Sequence, residues 1–130
     1  GKLGAMLKYV RDLMHTGPAL PLKPLGTRMS DALVEMSSKG FGCVGIVDGD
    51  GRLVGIVTDG DLRRHMRPDL MTARVDEVMT KNPKSIGANL LAGEALDILN
   101  TSKITALIVT DGKKPVGIVH LHDLLRAGVA

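Results

Sequence analysis

Apolar positions along the chain change their spacing in a fixed order, and that order occurs twice. Met29, Ala32, Leu33 and Met36 recur at three- and four-residue steps, which lays them along one face of a helix. Leu91, Ala95, Leu96 and Leu99 repeat the spacing later in the chain. Ser30 or Thr27 is placed to cap the first helix, and Gly40 to stop it. A short apolar run follows each helix, Cys43 to Val47 and Ala106 to Val109, and is broken by Asp48-Gly49-Asp50-Gly51 or Asp111-Gly112-Lys113-Lys114. The next runs, Leu53 to Val57 and Val116 to Val119, complete what reads as a β-hairpin in each half. A short helix carrying Leu62 or Leu124-Leu125 closes each half. Extended pieces near Ala19 to Leu22 and Lys84 to Ile86 supply a leading strand. The predicted class is α/β (α+β), with each half reading strand, helix, strand, strand, helix.

The repetition also holds residue by residue. Met14 matches Met79, Asp31-Ala32-Leu33 matches Glu94-Ala95-Leu96 at an offset of 63, and Gly55-Ile56-Val57 matches Gly117-Ile118-Val119 at 62. Asp61-Leu62 then matches Asp123-Leu124, again at 62. Residues 1–72 therefore hold an N-terminal segment and the first copy, and residues 73–130 the second. Two copies of about 60 residues are too few and too long for a solenoid, so each half is expected to cover the other's apolar face.

Composition narrows the function classes. At 130 residues the chain is one compact unit or two very small ones, and folding at this size removes roughly 65 to 70% of the unfolded surface from water. No metal or disulfide is needed for that. Cys43 is the lone cysteine, which suits a reducing cytoplasm and a small core residue better than a reactive thiol. Seventeen basic and fourteen acidic residues give a net charge of +3, without a basic stripe. The densest cluster, Arg63, Arg64 and Arg67, reads as a solvated helix face. Tyr9 and Phe41 are the only aromatics, so a stacking platform cannot be assembled and nucleic acid is not an expected partner. Apolar stretches fall short of the roughly 20 residues of a spanning helix, and no membrane association is expected. Most of the seven Met, Met14, Met29, Met36 and Met79 among them, are expected to fill core. The chain begins Gly1-Lys2-Leu3 without an initiator Met and is expected to be part of a longer protein.

The candidate chemistry lies where the last strand of each half meets its last helix. There the first half reads Thr58-Asp59-Gly60-Asp61 and the second His120-Leu121-His122-Asp123. A helix start favours a phosphate, a Thr hydroxyl can donate to a phosphate oxygen, and a carboxylate three residues on can accept from both ribose hydroxyls. Thr58 with Asp61 thus has the makings of a nucleotide clamp. Thr and Asp are equally ordinary N-cap residues, each contributing about 1 kcal/mol, and the spacing does not separate the two readings. His120 and His122, two apart and with His15 as a third, also admit a metal site, although no Cys accompanies them. No nucleophile-base pair or mononucleotide phosphate loop marks the chain as a catalyst, and no catalytic residue is assigned.

The hairpin, the Gly-apolar-apolar-Thr string and the Asp three residues on resemble a tandem pair of cystathionine beta-synthase (CBS) domains, a Bateman module. More narrowly, Val10-Arg-Asp-Leu-Met-His-Thr-Gly17, Thr58-Asp-Gly-Asp-Leu-Arg-Arg64 and His120-Leu-His-Asp-Leu-Leu-Arg-Ala-Gly128 resemble the C-terminal part of arabinose 5-phosphate isomerases, which feed lipopolysaccharide Kdo synthesis. The resemblance implies two β-α-β-β-α half-modules packed with pseudo-two-fold symmetry, two clefts for nucleotides, a homodimer formed through the pair, and a catalytic sugar-isomerase domain that would precede this chain. It implies phosphate and ribose roles for Thr58 and Asp61, and the ribose role for Asp123. His120 stands where the general module has Thr or Ser. With His122, Lys103 and Thr105, it suits a ligand richer in negative oxygens than a simple monophosphate. The expected ligand is CMP-Kdo or another nucleotide, regulating the isomerase; the alternative is a module that only assembles isomerase subunits.

Overall fold

The computed structural model describes residues 2–129. In chain order its elements are α1 (Lys2–Met6), β1 (Leu22–Pro24), α2 (Met29–Lys39), β2 (Cys43–Val47), β3 (Leu53–Thr58), α3 (Asp59–Arg64), α4 (Val75–Val78), β4 (Thr80–Lys81), β5 (Ser85–Ile86), α5 (Ala92–Ser102), β6 (Ala106–Asp111), β7 (Lys114–His120) and α6 (Leu121–Arg126). The chain is mixed α/β with two sheets, one per repeat.

Packing divides these elements into two compact units. Residues 21–83 form one, and the segment up to Leu20 joins the chain from Lys84 onward to form the other. The segment that leads into each repeat thus packs with the other repeat. Residues 73–83, which precede the second sheet, belong by contact with the first; residues up to 20, which precede the first sheet, belong with the second.

In residues 21–83 the sheet order is β1-β2-β3-β4. β1 and β2 are parallel and joined through α2, while β2 and β3 form an antiparallel hairpin with a bulge at Ile46/Val47. β2 is central and buried over four successive residues, as expected of a branched, apolar strand covered on both faces. Asp48 shapes its turn by accepting the N–H groups of Asp50 and Arg52. Met29, Ala32, Met36, Val44, Ile46 and Val57 form the core with Leu70, Val75 and Val78. Two of the expected core methionines lie here, but Met66 and Met71 are exposed. Gly40 takes φ 79° and ends α2, as its position predicts. The start of α2 differs from expectation: Arg28 is the N-cap residue and contributes no side-chain bond, and Thr27 instead donates its hydroxyl to the Pro24 carbonyl.

The second unit repeats this plan with order β5-β6-β7, parallel and then antiparallel, and a bulge at Val109/Thr110. Leu99, Leu107, Val109, Val119 and Leu124 fill its core together with Ala5 and Val10 of the leading segment. Lys103 ends α5 with φ 54°, the left-handed position that Gly40 fills in the first unit. Cys43 is buried, and burial, with the Asp59 carboxylate adding to it, pushes its thiol up to about 12. That is the small core residue expected from its sequence context.

Each leading segment is seated by a methionine set against a glycine. A Cβ at Gly55 would stand 2.3 Å from Met79 Sδ, and one at Gly117 would stand 2.6 Å from Met14 Sδ and 3.0 Å from the His15 carbonyl oxygen. Only a hydrogen at those strand positions lets the thioethers approach. The residue after each methionine is thereby brought to the end of the neighbouring strand. Thr80 follows Met79 and pairs with Ile56; His15 follows Met14 and pairs with Ile118.

Candidate functional site: two strand-to-helix junctions

Each unit ends its hairpin at a junction whose carboxylate is buried and fully occupied. In the first, Thr58 is the N-cap of α3; its hydroxyl accepts the Asp61 N–H at 3.3 Å and donates to Asp61 Oδ2 at 3.1 Å, while its N–H donates to the same oxygen at 2.9 Å. Asp61 Oδ1 receives two further bonds, from Arg64 at 2.7 Å and from the Thr80 hydroxyl at 2.7 Å. Asp61 is 2% exposed. Burial acts to raise its carboxyl, but the bonds from Thr80, Arg64 and Thr58 outweigh it and hold the group below the ordinary carboxylate range.

The second junction has the same frame with different chemistry. His120 is the N-cap of α6, its Nδ1 accepts the His122 N–H at 3.0 Å, and its own N–H donates to Asp123 Oδ2 at 2.8 Å. Asp123 Oδ1 receives Arg126 at 2.7 Å and His15 Nε2 at 2.8 Å. Asp123 is 8% exposed, and again burial pushes its carboxyl up while His15, the His120 N–H and Arg126 prevail and lower it. The His120 and His122 rings lie 4.6 Å apart. Burial, then the neighbouring His122, lowers the His120 imidazole below its ordinary value, against the pull of Asp123.

The arrangement therefore brings together Thr58 with Asp61, and His120 with His122 and Asp123. Thr105 reaches the second junction through its backbone, its carbonyl accepting the Leu121 N–H at 2.8 Å. Lys103 stands at the C-cap of α5 and, among the described residues, makes no hydrogen bond or ion pair with the junction. Reading the two junction strings missed Arg64, Arg126 and, as donors to the acids, Thr80 and His15, the last of which the sequence groups with His120 and His122 only as a third metal ligand. The last two were legible in principle, since Met14-His15 and Met79-Thr80 share one offset, 65, on either side of the repeats. In the arginine cluster, Arg64 serves Asp61, whereas Arg67 pairs with Asp69 and Glu77.

His15 Nε2 and His120 Nδ1 are committed to these bonds, and among the described residues no group of three or more His, Cys, Asp or Glu is arranged to hold a metal ion. A surface hollow of about 430 Å³ lies beside β1 and the start of α2, lined by Lys23, Arg28, Asp31, Glu35 and Arg74 among others. It includes none of the junction residues, and its mixed charges single out no ligand. No helix among the described residues is long and apolar enough to cross a membrane.

Two sheets, each with a parallel β-α-β crossover, a hairpin and a capped terminal helix, define a duplicated β-α-β-β-α fold. The chain belongs to the CBS domain family, whose profile matches residues 10–68 and 75–130. It is 47% identical over 133 aligned positions to the arabinose 5-phosphate isomerase KdsD of Pseudomonas aeruginosa, covering 99% of this chain and 41% of that protein. The chain spans about two fifths of the length of the curated relatives it matches. Among solved structures it is similar to CBSX2 in complex with AMP, with TM-score 0.80 at 23% identity over 93% of this chain and 96% of that one. It is equally similar to the CBS domain pair of the protein MJ0100 in complex with 5-methylthioadenosine and S-adenosyl-L-methionine, with TM-score 0.79 at 23% identity over 92% and 94%. At these identities the likeness is one of fold.

Proposed function

We propose that this chain is a non-catalytic regulatory module that binds a nucleotide or nucleotide-sugar, with CMP-Kdo as the best candidate, and feeds back on an attached sugar-phosphate isomerase domain. The observation that carries the reading is that both repeats place a buried carboxylate behind an exposed guanidinium. The side chains of Arg64 and Arg126 are 64% and 72% exposed, against 2% and 7% for the carboxylates they cover. When either arginine swings into solvent, Oδ1 becomes an acceptor for a ribose hydroxyl while Thr80 or His15 keeps it in place. Complexes of family members with AMP, and with 5-methylthioadenosine and S-adenosyl-L-methionine, support the ligand class. The relatives named as arabinose 5-phosphate isomerases support the attached activity. The groups of CMP-Kdo are assigned to the second junction as ribose hydroxyls to Asp123, phosphate to the start of α6, and the sugar carboxylate to His120, His122 or Lys103.

Calorimetric titration with CMP-Kdo tests the reading. A micromolar dissociation constant corresponds to about 8 kcal/mol, and neither heat nor thermal shift at millimolar ligand would exclude this ligand. Feedback also requires the isomerase to hold the ligand differently in two states, typically by about 1 to 3 kcal/mol, which is read by titrating a chain that carries both parts. A second reading, assembly alone, is favoured by the exposure of Leu125 on α6 and Met66 just beyond α3. Asp123→Asn separates the two, because the amide oxygen still caps α6. Loss of ligand-dependent stabilisation with an unchanged oligomer supports binding, and a dissociated oligomer supports assembly.

A further inference from the structure

We propose that residues 79–83 are a strap whose grip on β3 is set by the side chain of Asp61, so that a ligand held by that carboxylate is felt in the stretch by which the chain leaves the first unit. The identity of the ligand rests on the nucleotide-binding reading; the strap rests on the geometry alone.

The chain passes from residues 21–83 into the other unit at Pro83-Lys84, and the stretch before that step is held by few bonds. β4 is two residues long, both exposed, and pairs with β3 through Thr80 opposite Ile56 and Lys81 opposite Gly55. The Asn82 N–H adds a bond of 3.2 Å to the Val54 carbonyl, with Asn82 itself in the left-handed conformation at φ 51°. Pro83 has no N–H with which to prolong the ladder. Two side chains reinforce so short a strand: Met79 lies against Gly55, and Thr80 donates its hydroxyl to Asp61 Oδ1 at 2.7 Å. Only the second of these ends on the carboxylate assigned to a ligand. Asp61 Oδ1 also takes Arg64 at 2.7 Å, so an exposed guanidinium and the strap draw on one oxygen. A ribose hydroxyl that displaces Arg64 replaces a charged donor by a neutral one and leaves the charge of that oxygen more fully to Thr80. The strap is then held more tightly with ligand than without. Such a coupling is reciprocal: the factor by which the ligand secures the strap is the factor by which the strap secures the ligand.

Amide exchange followed by NMR tests this on the chain itself. The Asn82 N–H reports the strap, and the Gly45 N–H, which donates to the Pro21 carbonyl at 2.9 Å, reports the other side of the same sheet. Thr80→Val removes the hydroxyl and keeps a branched strand residue. It should speed exchange at Asn82 by about tenfold, the scale of one hydrogen bond to a charged group, and leave Gly45 unchanged. Thr80→Ser restores the donor and should restore the rate. Arg64→Ala, which frees Oδ1 of its competing donor without any ligand, should slow Asn82, and faster exchange there would refute the competition. An Asn82 rate unmoved by Thr80→Val, or a rise shared equally with Gly45, overturns the inference whatever nucleotides do. CMP added to the wild-type chain should also slow Asn82, and Thr80→Val should weaken CMP by the same factor. CMP that shifts the Asp61 amide without changing the Asn82 rate would refute the coupling and leave nucleotide binding standing. No CMP binding, with the effects of Thr80→Val and Arg64→Ala as expected, would sustain the strap and discard the nucleotide.

Discussion

The two junctions share a backbone and differ in what completes them. Thr58, Asp61, Arg64 and Thr80 make a closed set in which every bond is between a carboxylate, an arginine and hydroxyls or an amide. His120, Asp123, Arg126 and His15 repeat the set with the His15 ring in place of the Thr80 hydroxyl, whereas the His120 ring accepts the His122 N–H and only its backbone N–H reaches Asp123. The lesson is that duplication preserved a scaffold, the capped helix start with its buried acid, while leaving the two donors around that acid free to diverge. The imidazoles differ in number and place as well: His15, His120 and His122 surround one acid, while His65 meets the backbone carbonyl of the other.

The largest effect that tests this comparison lies under the leading segments. Gly117→Ala drives a methyl against both Met14 Sδ and the His15 carbonyl oxygen, and a backbone atom held by the Ile118 pairing cannot step aside. Gly55→Ala meets Met79 alone, whose side chain can turn. Overpacking costs typically 1 to 3 kcal/mol, so we expect about 3 for Gly117→Ala and about 1 for Gly55→Ala in denaturant titrations. Equal losses would mean that the two segments are seated by something other than the glycine contact.

A smaller effect separates the junctions by pH. Asp61 and Asp123 both lie below the ordinary carboxylate range, so their contribution is present above about pH 3.9 and is lost as the pH falls through their folded values. His120 is a base held below its ordinary value of about 6.5, so the unfolded chain binds the extra proton first. Stability then declines as the pH falls from about 6.5 toward the folded value, well before the carboxylates titrate. Thermal midpoints measured from neutral to mildly acidic pH should show this slope, and His120→Thr, the first junction's residue, should flatten it. An unchanged slope would place its source in other groups.

The smallest effect concerns the helix ends. Gly40 is at ease in the left-handed conformation and Lys103 is not, at an expense of about 1 kcal/mol. Lys103→Gly should therefore raise the midpoint of chemical unfolding by about that amount, and no gain would indicate a compensating side-chain contact.

Most of the fold was legible because period and punctuation are local properties. β2 runs from Cys43 to Val47 as its apolar run predicts, and Gly40 ends α2 where the spacing stops. The cap of α2 was not legible, because Thr27 found a carbonyl partner in Pro24 that only the folded turn creates. At the junctions, Thr58 and Asp61 were readable from their three-residue spacing, which serves a cap and a clamp alike. The bonds from His15 and Thr80 to the acids were not foreseeable, since 108 and 19 residues of chain separate the partners, and the sequence groups His15 with His120 and His122 only as a metal ligand. Their positions follow from a methionine's fit against a glycine, and no periodicity encodes that.

The position of Cys43 turns the first unit into its own reporter. With the thiol sealed inside β2 and its proton retained to about pH 12, an alkylating reagent finds no thiolate while residues 21–83 stay closed. The rate of labelling in brief pulses therefore clocks how often that unit opens, and a ligand seated at Thr58 and Asp61 would slow the clock without any change to the chain.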